Sequence, residues 1–366
     1  MTQKEDQIVG KTAICTVGDG HRLSYRGYSI EALADKANFE EVAYLLLYGA
    51  LPDKAHLYRF QKVFIESIAL PSQIKTLLEI LPKTAHPMDM LRTVVSLLGT
   101  LEPETQWGNE QSIALRVMGV CMSSLAYWHH FHRNGKRLIT PHEQQLIAQY
   151  ILQSFHQGKV DESWIWALNT ALILYAEHEF NASTYAARVT TSTESDSYSI
   201  MVTAIGTLKG PLHGGANEAS MALIASYDSP EQAKAGILKK LAHRERIMGF
   251  GHRVYKSGDP RSPIIKRVAK TLTKKLDKTV LFDIAEAIEE TMDKEKGIKT
   301  NLDFYSAIVF HCIGMPTDYF TPLFVFARIT GWTAHMIEQR QNNRLIRPLA
   351  AYTGPKDRVF VPISER

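Results

Sequence analysis

Apolar residues recur along this chain at helical rather than strand spacing. The run Phe39 to Tyr48, closed by Gly49, predicts a helix with a broad buried face. Ser29 predicts a cap for a shorter helix through Asp35. Thr140-Pro141-His142-Glu143 places a capping hydroxyl, a proline at the first helical position and a glutamate three residues after the cap, with Gly158 as the stop. The same grammar at Ser229-Pro230-Glu231-Gln232 predicts a helix to about Met248. Ser262-Pro263 and Thr321-Pro322 are further starts, the second opening a C-terminal helix from Pro322 to Arg340. Sustained period-two alternation is nearly absent. The exception is Thr12 to Val17, a short strand with Arg22 to Tyr25 as its expected partner. The pattern predicts an all-α protein with a short N-terminal β element.

Glycine and proline collect at three junctions between helical runs, Gly206 to Gly215, Gly249 to Gly258 and Gly297 to Asn301. Between the first and third lies a charge-dense block, Glu231 to Lys299. This punctuation predicts a smaller helical domain, residues 213–310, set into a large helical domain made of 1–212 and 311–366.

Composition narrows the setting. With 366 residues, 45% of them hydrophobic and 22% charged, the chain can bury one large core and a smaller one. A net charge of +4 is too weak to imply nucleic acid. Cys15, Cys121 and Cys312 form no CxxC pair and no disulfide framework, so they read as core thiols of a reducing compartment. Met1 to Gly10 lacks an apolar targeting segment, and no apolar run reaches the roughly 18 residues of a membrane span. A cytoplasmic protein that uses neither membrane nor nucleic acid is the expectation.

Candidate chemistry sits at the junctions. His213 lies in Gly210-Pro211-Leu212-His213-Gly214-Gly215, where the backbone can approach a ligand closely; a plain loop histidine is an equally good account. His252 lies in Gly249-Phe250-Gly251-His252-Arg253-Val254-Tyr255-Lys256, with Arg261 shortly after, a loop suited to phosphate or carboxylate or simply a basic surface loop. Lys266, Arg267, Lys270, Lys274, Lys275 and Lys278 continue the basic theme, as a solvated face that can also steer a polyanion. Asp303, in Asn301-Leu302-Asp303, is by itself an ordinary residue of a helix start. Arg328 is more informative, because it interrupts the apolar run Leu323 to Ile329. A buried guanidinium needs a partner, either an internal carboxylate or a bound dicarboxylate. Arg347, beside Pro348, is a weaker case of the same kind. His178, after the apolar run Ala171 to Ala176, is a core histidine or the edge of a pocket. There is no HExxH and no Gly-Lys-Ser/Thr loop. His129, His130 and His132 are adjacent on a helix end but do not share one face, which argues against a metal site.

Taken together, four stretches resemble the citrate synthase family. They are Ala176-Glu177-His178-Glu179-Phe180-Asn181-Ala182-Ser183-Thr184, Gly210 through Glu218, Gly249 through Arg261, and Asn301 through Ser306. The resemblance runs from about Thr12 to the C-terminus. It is sharper to the family's 2-methylcitrate synthase branch, on Leu174 through Phe180, Ile337 through Asn343, Ile346-Arg347-Pro348, and Tyr352-Thr353-Gly354-Pro355 with the Phe360-Val361-Pro362-Ile363 ending.

The resemblance implies a nearly all-helical fold whose small domain closes over its substrates, an acyl-CoA and oxaloacetate. In it His213 would stabilise the enolate of the thioester, Asp303 would take the α-proton, and His252 would protonate the oxaloacetate ketone oxygen. His178, Arg261 and Arg328 would bind oxaloacetate, and Arg347 would reach the neighbouring active site of a homodimer. Lys256 and Arg253 would lie near the CoA phosphates; Lys256 stands where some members carry arginine, keeping the charge and losing the rigid fork. No permanently bound cofactor and no metal are implied, with the acyl-CoA a co-substrate. The expectation is condensation of propionyl-CoA with oxaloacetate and water to 2-methylcitrate and free CoA. Acetyl-CoA as main substrate is the alternative, since one methyl is worth only about 1–3 kcal/mol in an apolar pocket. A helical binding or scaffold protein that has lost catalysis is the alternative of another class.

Overall fold

A computed structural model describes residues 8–18, 20–138 and 145–366 of the chain. The N-terminal β element is present as three short antiparallel strands, Cys15–Thr16, Ser24–Tyr25 and Tyr28–Ser29. Cys15 pairs with Tyr25, and Ser24 with Ser29. The third strand was not foreseen. It exists because Arg26 and Gly27 both take left-handed φ, 47° and 88°, which closes a two-residue hairpin. Ser29 then caps the helix Ile30–Lys36 by accepting from Ala32 N–H.

Everything else described is helical or connecting. Phe39–Tyr48 forms as expected, with an Asn38/Glu41 capping box and Gly49 left-handed at its end. Two long helices, Glu110–Asn134 and Phe320–Gln341, are the spine of the core. Phe320–Gln341 is buried around most of its circumference and packs against Phe39–Tyr48, Glu110–Asn134, Glu162–Tyr175, Ala182–Ser192 and Ser197–Leu208. Further along the chain Pro230–Ala242 packs against Thr279–Lys296, and Ser262–Lys275 against Leu302–Cys312. The helices Leu302–Cys312 and Ser262–Lys275 also touch Glu162–Tyr175.

Several boundaries differ from expectation. The Ser229-capped helix ends at Ala242, not Met248. Arg244 turns left-handed (φ 56°), and the N–H groups of Arg244 and Glu245 close back on Leu241 and Lys240 in a Schellman-type stop. Ser262 is the first helical residue rather than the cap. The last long helix starts at Phe320, because the hydroxyl and N–H of Thr321 both go to the Glu218 carboxylate. Gly206 lies inside the helix Ser197–Leu208. Thr140 to Glu143 lie outside the described residues; the helix that follows runs Ile147–His156. Cys15, Cys121 and Cys312 are buried and free. No helix among the described residues is long and apolar enough to cross a membrane.

Candidate active site

One cavity of about 940 Å³ collects His178, His213, His252, Asp303, Arg261 and Arg328. They arrive from five separate segments, so only the folded chain makes them neighbours. Arg253 lines the same cavity, and Lys256 lines a smaller adjoining one of about 270 Å³ together with His252 and Tyr255. Arg347 does not line its own chain's cavity; it is exposed on the C-terminal tail.

The segments bearing His252 and Asp303 are stitched together. Gly251 N–H donates to Lys299 O, Asn301 N–H to Gly249 O, and the Asn301 side-chain amide to Gly251 O. Gly249 has φ 84°, and a Cβ there would lie 2.5 Å from Ser220 Oγ and 2.8 Å from the Phe304 ring. Only glycine permits that approach. Asn301 also caps the next helix by accepting from Asp303 N–H. This places the Asp303 carboxylate in the first turn, on the lining of the cavity. Burial pushes it up to about 6, against a 2.7 Å hydrogen bond from Tyr175 Oη and the charges of Arg261 and Arg328.

Both catalytic histidine candidates are neutral, and their tautomers follow from their partners. His252 Nδ1 accepts from the N–H groups of Val254 (3.0 Å) and Tyr255 (3.4 Å), so the ring proton sits on Nε2. His213 Nε2 accepts from Ser183 N–H at 3.3 Å, which leaves Nδ1 as the donor. Ser183 Oγ, 2.8 Å from the same nitrogen, is itself held by Trp332 Nε1 and Asn181. Burial, with Arg328 adding, pushes His213 down to about 3; burial and then Arg261 push His252 down to about 4. His178 is buried, bonded through Nε2 to Tyr255 Oη at 2.9 Å, and also held well below its usual range by burial, Arg261 and His252.

The two buried arginines differ. Arg261 is gripped by Asp259, Nε to Oδ1 at 2.9 Å and Nη2 to Oδ2 at 2.7 Å. Burial works against the Asp259 charge, yet the guanidinium wins and holds its carboxyl below the usual range. Oδ2 of Asp259 also accepts from Leu302 N–H, so one carboxylate ties Arg261 to the turn before Asp303. Arg328, 1% exposed, donates Nε to Tyr175 O at 2.7 Å, while its Nη1 is buried and unpartnered among the described residues. An enclosed fork with a spare donor suits a carboxylate ligand.

Sequence reading passed over Tyr175, Ser183 and Asp259, which hold these groups in place. Each sits inside a recognised stretch without having been given a role, and none carries a periodicity or spacing signal of its own. The basic residues Arg244, Arg246 and Lys296 at the cavity's mouth were also not singled out. His129, His130 and His132 go to three separate partners, Tyr319 Oη, Ser154 O and Leu78 O. Among the described residues no cluster of His, Cys, Asp and Glu is placed to hold a metal ion.

The sequence profile of the citrate synthase C-terminal domain matches residues 4–349. The chain is 44% identical to 2-methylcitrate synthase of Shewanella oneidensis, over 98% of this chain and 96% of that one. It is 42% identical to citrate synthase 2 of Bacillus subtilis, over 94% and 93%. The fold superposes on citrate synthase of Thermoplasma acidophilum, solved as a ternary complex with carboxymethyl coenzyme A and oxaloacetate, with TM-score 0.93 and 35% identity over 99% and 98% of the two chains. With a profile spanning nearly its whole length and relatives this similar from end to end, the chain belongs to the citrate synthase family, whose members condense an acyl-CoA with oxaloacetate.

Proposed function

We propose that this enzyme is a 2-methylcitrate synthase, condensing propionyl-CoA with oxaloacetate and water to 2-methylcitrate and free CoA, with acetyl-CoA as a secondary substrate. The observation that carries the chemistry is the meeting of one elevated carboxyl, two neutral histidines of fixed tautomer and two buried arginines on one cavity.

In this reading Asp303 removes the α-proton of the thioester while His213 Nδ1–H hydrogen-bonds the thioester oxygen as negative charge develops there. A thioester α-proton is weakly acidic, so the carboxylate succeeds only because the enolate oxygen has a preorganised donor. The enolate carbon attacks the oxaloacetate ketone carbon, and His252 Nε2–H passes its proton to the new alkoxide. Arg261 and Arg328 clamp the carboxylates with His178, presenting that carbon to the nucleophile and reducing the entropy lost on encounter. Water then cleaves the thioester of the product and releases CoA. Arg253 and Lys256 serve the CoA end. The division into 213–310 and the remainder lets the cleft close and exclude water until condensation is complete. Arg347, idle in its own chain, completes the neighbouring site of a homodimer. The three buried thiols suit a cytoplasmic setting.

The choice of propionyl-CoA rests on the C-terminal likeness and on relatives of that name, 44% and 43% identical. The citrate synthase of Bacillus subtilis at 42% is the observation that favours the alternative. Side-by-side kinetics decide it: propionyl-CoA is expected to show the higher kcat/KM, and a higher value for acetyl-CoA reverses the assignment. Failure to release CoA from either thioester with oxaloacetate would point to a binding protein instead.

A further inference from the structure

Arg328 is not the only buried charged group behind the cavity. Glu177, one residue before His178, is 0% exposed, and so is His335. Arg188 Nη1 donates to His335 Nδ1 at 2.8 Å, and arginine cannot accept, so the His335 ring proton is on Nε2. That nitrogen lies 2.8 Å from Glu177 Oε1 and donates to it. Arg188 itself ends on Glu338 Oε2 at 2.7 Å. Oε2 of Glu177 has no hydrogen-bond partner among the described residues, and neither has Nη1 of Arg328. The two groups share one notch in the helix Phe320–Gln341. A Cβ on Gly331 would collide with Glu177 Oε2 and lie 3.3 Å from Arg328 Cδ. A mid-helix glycine costs about 0.5–1 kcal/mol relative to alanine, and here it makes room for a carboxylate.

We propose that Glu177 acts through Arg328: it is the buried counter-charge of the substrate-binding guanidinium in the unliganded enzyme, competing with the oxaloacetate carboxylate for it. This rests on the reading of Arg328 as a carboxylate clamp. Arg261 has Asp259 as a bidentate partner, whereas Arg328 has a backbone carbonyl and the face of the Phe324 ring, and no carboxylate hydrogen-bonds it among the described residues. Burial works against its charge, Glu177 is the foremost influence that favours the charge, and Arg261 opposes it with like charge. An uncompensated buried charge is strongly destabilising, so an empty site built around one needs an internal anion. The same anion repels the incoming dianion, so stability of the free enzyme is gained at the expense of affinity.

Glu177→Gln keeps the shape and the acceptor for His335 while removing the charge. In the unliganded protein its thermal midpoint is expected to fall by roughly 5–10 °C. That fall should vanish in an Arg328→Gln background, and the single variant should bind oxaloacetate about five-fold more tightly than the parent. If the single variant does not fold, folding of the E177Q/R328Q pair supports the proposal, and failure of both overturns it. Equal falls in the two backgrounds, or weaker oxaloacetate binding by Glu177→Gln, also overturn it. Coupled midpoints with oxaloacetate affinity untouched by Arg328→Gln would uphold the counter-charge while removing Arg328 from the substrate site.

Discussion

The phenol of Tyr175 donates a 2.7 Å hydrogen bond to Oδ1 of Asp303 and lies 2.6 Å from Ser306 Oγ at the same time. It holds the carboxylate of the proposed base from below, at the end of the helix Glu162–Tyr175. Burial raises the Asp303 carboxyl to about 6, and this hydrogen bond restrains the rise. Both histidines titrate lower, at about 3 and about 4, so the acid limb of activity belongs to Asp303. Tyr175→Phe removes a stabiliser of the charged form. The acid limb of kcat/KM should then move to higher pH, by roughly one unit. A limb that stays in place would separate Tyr175 from the base.

Asp303→Ala should abolish exchange of the thioester α-proton with solvent while oxaloacetate still binds. Solvent deuterium incorporation into the acyl-CoA measures the first and calorimetry the second. Normal exchange in the variant removes Asp303 from the role of base.

The same carboxyl predicts a stability effect of opposite sign. Its folded value, about 6, exceeds the ordinary 3.8, so the folded state binds the proton more tightly than the unfolded state does. Stability is therefore lost as pH rises from about 4 to about 6, by up to about 3 kcal/mol and less where water reaches the cavity. Asp303→Asn, which is never charged, should be more stable than the parent at pH 7, and the gap should close near pH 4. Thermal midpoints across that range test it; a gap that is constant with pH contradicts it.

Asp259→Asn replaces a carboxylate that accepts from Arg261 and Leu302 N–H by an amide whose nitrogen faces a donor. The KM for oxaloacetate should rise roughly ten-fold or more, with the KM for the acyl-CoA nearly unchanged. Arg328→Ala should weaken oxaloacetate binding in the same selective way. Unchanged affinity in the Arg328 variant would refute its reading as a carboxylate clamp.

If Arg347 completes the site of a partner subunit, Arg347→Ala and Asp303→Ala should complement each other. Mixed dimers of two nearly inactive variants would regain activity at the one site that carries neither change. No recovery in verified mixed dimers places Arg347 outside the shared site.

Local rules carried the helices far. The run Phe39 to Tyr48 and the cap at Ser29 were legible because periodicity and capping act within a few residues. The stop at Ala242 was not, since Arg244 supplies a left-handed turn without glycine, and Thr321 is drawn into the last helix by Glu218, 103 positions away. Among the site residues, His213 and His252 stood out through glycine-rich surroundings and family likeness, and Asp303 through family likeness alone. Tyr175, Ser183 and Asp259 did not, because a positioning residue is defined by what it touches.

The sequence by itself determined a nearly all-helical enzyme of one family and named six of the groups that line its cavity, His178, His213, His252, Arg261, Asp303 and Arg328. Only the tertiary structure decided which nitrogen of each histidine carries the proton, that Asp303 is raised while Asp259 is lowered, and that Arg328 is left with an open donor. The physical reason is that protonation and charge depend on burial and on partners drawn from distant segments, such as Tyr175 with Asp303 and Ser183 with His213, and chain order does not encode those distances.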